Sequence, residues 1–244
     1  MTLLDIGRGY RFRFLVRQRL SMTQVKLPKI QKMPADARAL DALRGQIIDG
    51  SIRPGSRLTE VQLSEEMGLS RATVRTALHQ LGKEGLVNLV PYTGWTVIEL
   101  TRQDIWELYT LRGAVERLAA QLAASTNDSN GLDKIAKAFQ NLKSQCETGK
   151  AASIAEADFA FHKSIVNAAN HERLRLQYEL IEQQILVYIH SSDALISDPS
   201  EIVAQHQPIF DAIRNKNADL AGSLSEQHNL LEGTKLTGTI PEAR

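Results

Sequence analysis

Asp158 and His162 stand four residues apart in the stretch Asp-Phe-Ala-Phe-His. On a helix that spacing puts them on one face, one turn above the other. Two further histidines lie downstream on apolar stripes. His206 is surrounded by Ile202, Ile209, Phe210 and Ile213, and His228 follows Leu224 by four residues. Three imidazoles and a carboxylate that converge would suit a divalent transition metal. Imidazole favours Zn, Ni, Cu and Fe, and a carboxylate extends the range to Mn. The spacing alone equally allows partly buried histidines that are simply hydrogen-bonded. A metallohydrolase would need a general base beside a metal-bound water, and no His-Glu-x-x-His motif supplies one.

A second group with chemical potential lies near the other end of the chain. Ser70, Arg71, Thr73 and Arg75 open a segment whose apolar stripe is Val74, Leu78 and Leu81. Hydroxyls and guanidinium groups at an exposed helix N-terminus suit a reader of the DNA major groove. Arg can bond guanine O6 and N7 together, and short hydroxyls reach phosphates. The same residues would also make an ordinary solvated helix face.

The elements that must position these groups fall into two patterns. Over residues 35–100, Leu40, Leu43, Ile47 and Ile48 recur at helical spacing, and Gly50 stops that helix. A Pro-Gly turn follows. Thr59 with Gln62 then forms a capping-box start for a second helix ended by Gly68. Ser70 caps a third helix, terminated at Gly85. Two short helices joined by a tight turn make a helix-turn-helix. Residues 86–90 and 95–100 read as two strands around a Pro-Tyr-Thr-Gly turn, a hairpin wing. Beyond residue 100 the strand signals stop. Six amphipathic helices are expected, at about 102–124 (opened by Thr101 with Asp104), 131–148, 152–169, 172–191, 200–215 and 218–236. The fold class is therefore mainly α: an N-terminal winged helix-turn-helix and a C-terminal all-α six-helix bundle over 101–238, with a tail at 239–244. A bundle of this size can enclose a ligand pocket.

Composition narrows the function classes. The chain has 244 residues, 43% of them hydrophobic, enough for two real cores. No run approaches the roughly 20 apolar residues that span a membrane, so no membrane partner is expected. One cysteine, Cys146, excludes an internal disulfide framework and fits a reducing, cytoplasmic location. Residues 1–34 carry eight basic side chains against Asp5 alone. A flexible basic arm that adds sequence-blind phosphate affinity is one reading. Sequence upstream of a later start at Met22 or Met33 is another.

At this point a resemblance becomes visible. The run from Ile52 to Val87, with its Pro-Gly turn, Leu-x-Glu, Ser-Arg, Val-Arg, Ala-Leu and Glu-Gly-Leu-Val close, resembles the winged helix of GntR-family bacterial transcription regulators. That resemblance implies a homodimer on double-stranded operator DNA, most often as a repressor. Ser70, Arg71, Thr73 and Arg75 would contact operator, and Gly94 would bring the wing backbone close to the minor groove. Thr93 departs from the arginine that many relatives carry before that glycine, which weakens the expected minor-groove contact. Asp-x3-His, a His before Ile and Ala-Ile, and a His on the last helix resemble the metal site of the FadR-type C-terminal (FCD) domain, in its shorter six-helix, VanR-like form. The resemblance implies that Asp158, His162, His206 and His228 hold a divalent ion (Zn, Ni or Mn). A small carboxylic-acid effector would complete the coordination, and Arg112 would hold the acid or else pair with Glu116. It further implies a regulator rather than an enzyme. His79, His171 and His190 match no ligand position, and Asn170 is expected to cap the helix after it.

Overall fold

The computed structural model describes residues 33–240. The basic arm expected over 1–34 lies outside the described residues except for its last two, as do residues 241–244.

The first helix, α1 (Ala35–Ile48), buries Ala39, Leu43 and Ile47 and ends where Asp49 and then Gly50, at φ +77°, turn the chain away. A short strand, β1 (Arg57–Leu58), was not expected, because two residues carry no alternation to read. Helix α2 (Glu60–Met67) starts on Thr59, whose hydroxyl accepts from the Gln62 backbone N–H. Only half of the expected capping box forms, since the Gln62 side chain donates to Glu66 instead of returning to the cap. Gly68 at φ +62° ends the helix in a left-handed cap that a side chain would strain. Helix α3 (Arg71–Lys83) buries Val74, Ala77, Leu78 and Leu81 against α1 and α2.

Strands β2 (Val87–Val90) and β3 (Gly94–Val97) form the wing, and β1 adds to it antiparallel, in the order β1-β3-β2. At the tip Tyr92 is fully exposed. Gly94 has φ +110°, and a Cβ there would stand 3.0 Å from the Leu58 carbonyl oxygen. The pairing with β1 therefore requires glycine at 94 whatever the wing touches. Trp95 closes the sheet onto α3, with His79 edge-on to its ring at 4.9 Å.

Six helices follow: α4 (Arg102–Ser125), α5 (Ser129–Thr148), α6 (Ala151–Ala168), α7 (Glu172–Asp193), α8 (Pro199–Arg214) and α9 (Ala218–Thr239). A complete capping box, Thr101 with Asp104, opens α4 as expected. The most extensive packing is α4 on α9. Gly222 and Gly233 let the helices approach: a Cβ at Gly233 would lie 2.8 Å from Tyr109 Cβ, and one at Gly222 2.5 Å from Gln121 Cγ. Asn170 does not cap α7. It occupies the left-handed turn at φ +53°, and the ring of His171 takes the cap, its Nδ1 accepting from the Leu174 N–H at 3.1 Å. The bundle also touches the winged helix directly. Gln184 on α7 donates to the Glu84 carbonyl oxygen at 3.4 Å. Arg44 on α1 holds the Glu84 carboxylate through two bonds of 2.8 Å.

Candidate metal centre and nucleic-acid interface

Asp158 and His162 come from α6, His206 from α8 and His228 from α9, and all four are buried. A ligand nitrogen from each of the three histidines lies within 4.8 Å of the other two. His162 Nε2 and His206 Nε2 are 3.0 Å apart. Asp158 Oδ1 lies 3.1 Å from the first and 3.0 Å from the second.

The far side of each ring decides what those short distances mean. His206 Nδ1 is 2.6 Å from the Ile202 carbonyl oxygen, and His162 Nδ1 is 2.8 Å from Glu116 Oε2. Both outer nitrogens face acceptors, so in the neutral rings the proton sits there and each Nε2 turns a lone pair inward, the form that can ligate an ion. Asp158 Oδ1 accordingly finds no hydrogen bond although two nitrogens stand beside it. Lone pairs that crowd one another in a buried place repel unless a cation lies among them. Ligands about 2.1 Å from one ion and at right angles to each other stand roughly 3.0 Å apart, close to what the three atoms show. The donor set therefore fits a divalent transition ion.

Glu116 on α4 organises the surroundings. Its Oε1 accepts from Arg112 Nε at 2.7 Å and from the Tyr178 hydroxyl at 3.1 Å. Its Oε2 faces His162 Nδ1 and accepts from Asn229 Nδ2 at 2.9 Å. One carboxylate thus ties α4, α6, α7 and α9 together. Burial works against its charge, but the Arg112 guanidinium and the His162 ring hold its pKa far below the ordinary value. Burial, with His206 and His162 alongside, pushes His228 well below the usual histidine value and keeps its ring neutral. Sequence reasoning saw Glu116 only as a possible partner of Arg112, and missed Asn229 and Tyr178. Their partners lie 113 and 62 residues away along the chain, and no local pattern signals them.

Arg112 pairs with Glu116 through Nε, one of its two expected roles, and its Nη2 is buried without a hydrogen bond. Tyr109 Oη, Asn229 Oδ1, Ser225 Oγ and Asp193 Oδ2 are in the same condition. A buried polar group left without a partner costs on the order of 1–3 kcal/mol, so a polar guest that reached these atoms would be stabilised by them. Burial first, then the Asp158 and Glu232 charges, raise Asp193 to about 9. A cavity of about 210 Å³ between α8 and α9 leads to His228 and Glu232.

In the winged helix, Ser70 Oγ caps α3 by accepting from the Thr73 N–H at 3.1 Å and lies 2.8 Å from Thr73 Oγ1. One hydroxyl donates to the other, which leaves one hydroxyl proton of the pair free. Arg71 and Arg75 are exposed on α3. Arg75 is engaged by Glu60, its Nε at 2.8 Å from Oε1 and its Nη2 at 2.6 Å from Oε2. Beside the wing tip, Arg57 Nε donates to the Thr93 carbonyl oxygen at 2.6 Å.

Residues 36–97 match the bacterial regulatory proteins of the gntR family, and residues 107–230 match the FCD domain. The chain belongs to the GntR family. It is a DNA-binding transcription regulator with an FCD C-terminal domain, and not an enzyme. Among its relatives is the probable D-xylose utilization operon transcriptional repressor of Paenarthrobacter nicotinovorans, 27% identical over 82% of this chain and 88% of the relative. The gluconate operon transcriptional repressor of Bacillus licheniformis is 26% identical over 78% and 80% respectively. A GntR transcriptional regulator from Rhodococcus sp. RHA1 superposes with a TM-score of 0.70 at 25% identity, over 84% of this chain and 99% of that one. No helix among the described residues is long and apolar enough to cross a membrane.

Proposed function

We propose that this regulator is a homodimeric repressor whose operator affinity is set by a small carboxylic acid bound at a divalent metal ion in the bundle. The observation that carries this reading is the buried meeting of His162, His206 and Asp158, with both outer ring nitrogens already committed to acceptors. His162, His206 and His228 would hold the ion with Asp158. When bound, the ion supplies a Lewis-acid anchor for an oxyanion. Arg112 Nη2 supplies a buried cationic N–H with no competing acceptor, which suits a carboxylate. Of the two repressors above, one is that of a D-xylose utilization operon and the other that of a gluconate operon, and gluconate is a small carboxylic acid of the class proposed. Ser70, Arg71, Thr73 and Arg75 would contact operator DNA, with Gly94 at the wing.

Two connections would carry the effector's influence to the DNA-binding end. One is the short linker into α4, the helix that bears Arg112 and Glu116. The other is α7, which bears Tyr178 and Asp193 and also touches the winged helix through Gln184. A ligand shifts the arrangement only by its differential affinity for the two states.

Elemental analysis of the purified chain tests the site. The expected content is close to one divalent ion per chain, lost in His162→Ala and in His206→Ala, while operator binding persists. Full metal content in both variants would refute the site. A second reading, in which the ion itself is the signal, shares every one of these contacts. It predicts that operator affinity follows metal concentration with no acid present.

A further inference from the structure

Helix α2 contributes a residue to the DNA-reading face that the recognition helix alone does not show. Glu60 is the first residue of α2, and its carboxylate reaches across to α3 to take Arg75 side-on, through Nε at 2.8 Å and Nη2 at 2.6 Å. Arg75 stays about half exposed in this pair, whereas Glu60 is the more buried partner.

We infer that Glu60 is a positioning residue for operator readout, a brace that fixes the Arg75 guanidinium so that its free end reads one guanine. The statement rests on the proposal that Arg75 contacts operator. A guanidinium has five N–H donors in one plane. The side-on pair uses the Nε edge, and the forward edge, with one N–H each from Nη1 and Nη2, remains free. That forward edge is the one that can bond guanine O6 and N7 together. A long side chain left free would have to surrender its rotamer freedom on binding, and one already held has less to lose. Arg71, one turn before Arg75 on the same face of α3, adds its positive field to the hold on the Glu60 carboxylate. The opposite role, a brake that DNA must first displace, would put the carboxylate over the forward edge, and the side-on geometry does not.

The test uses the full chain and a duplex selected by that chain from a random library, together with single-base-pair variants of the duplex and an unrelated duplex. Arg75→Ala should flatten discrimination at one base pair. Glu60→Gln and Glu60→Ala should flatten discrimination at that same base pair and weaken the selected duplex by about tenfold. Their affinity for the unrelated duplex should hold or rise, because a negative charge near phosphate is gone. Glu60→Ala added to Arg75→Ala should cost nothing more. Glu60 variants that bind the selected duplex more tightly with discrimination intact would show a brake and overturn the brace. Discrimination lost with Arg75→Ala but kept with both Glu60 variants would show a bystander. If Arg75→Ala itself leaves every base preference unchanged, Arg75 is not a reader, and the operator-contact assignment falls together with the brace.

Discussion

Glu116 meets four donors with four lone-pair sites, so little about its environment can change cheaply. Through His162 Nδ1 it also favours the form of that ring whose Nε2 would face the proposed ion. Glu116→Gln should keep the shape but lose the charge that favours Nδ1–H. The expected result is a 10- to 100-fold weaker affinity for a divalent ion, read by competitive titration against a chromophoric chelator, as is usual for the partner of a ligating histidine. Asp193 offers a pH test in the chelator-treated protein. Its pKa is raised to about 9 in the fold, against about 3.9 in an unfolded chain. A raised folded value means the contribution to stability is whole below pH 4 and is lost progressively as pH rises toward 9. Asp193→Asn, which cannot ionise, should therefore melt above the parent at pH 8, and the gap should narrow steadily as pH falls and close only near pH 4. Equal melting temperatures at pH 8 would show that Asp193 is not the buried acid its surroundings suggest.

At the scale of elements, the contact between α4 and α9 separates two kinds of glycine. Beyond Gly233 lie the Cβ and Cγ of Tyr109, held in a packed interior, whereas beyond Gly222 lies the flexible stem of Gln121. Gly233→Ala should thus destabilise the protein by about 1–3 kcal/mol as an overpacking substitution. Gly222→Ala should cost clearly less, since Gln121 can swing away. Urea midpoints of the two variants measure the difference, and equal costs would contradict this account of the packing. The helices themselves were legible in sequence because stripes such as Val74, Leu78 and Leu81 repeat over several turns and end on glycines with positive φ. The candidate metal ligands were legible as residues, through their face on each helix and a family resemblance, and the structure brings the four side chains together. Glu116, Asn229 and Tyr178 were not, because their meeting depends on how α4, α7 and α9 pack together. Asn170 misled for a similar reason: its type suits a cap, but the left-handed turn claimed it and passed the cap to His171.

For the whole molecule, acid and ion in the bundle are proposed to act on DNA bound by the winged helix. A closed two-fold dimer should bind a short pseudo-palindrome. Sedimentation at micromolar concentration, with and without the selected duplex, should show two chains, and a persistent monomer would contradict it. Lowering the pH from 7 to 5 should release the ion, because the imidazoles must be neutral to ligate and unperturbed histidine titrates near 6.5. The most direct measurement takes the selected duplex and determines its affinity for the full chain under four conditions: with and without a divalent ion, and with and without gluconate or another small carboxylic acid from a panel. One acid should change operator affinity by tenfold or more when the ion is present and have no effect after chelation. The same response to that acid in metal-free protein, or in His162→Ala, would contradict the proposal.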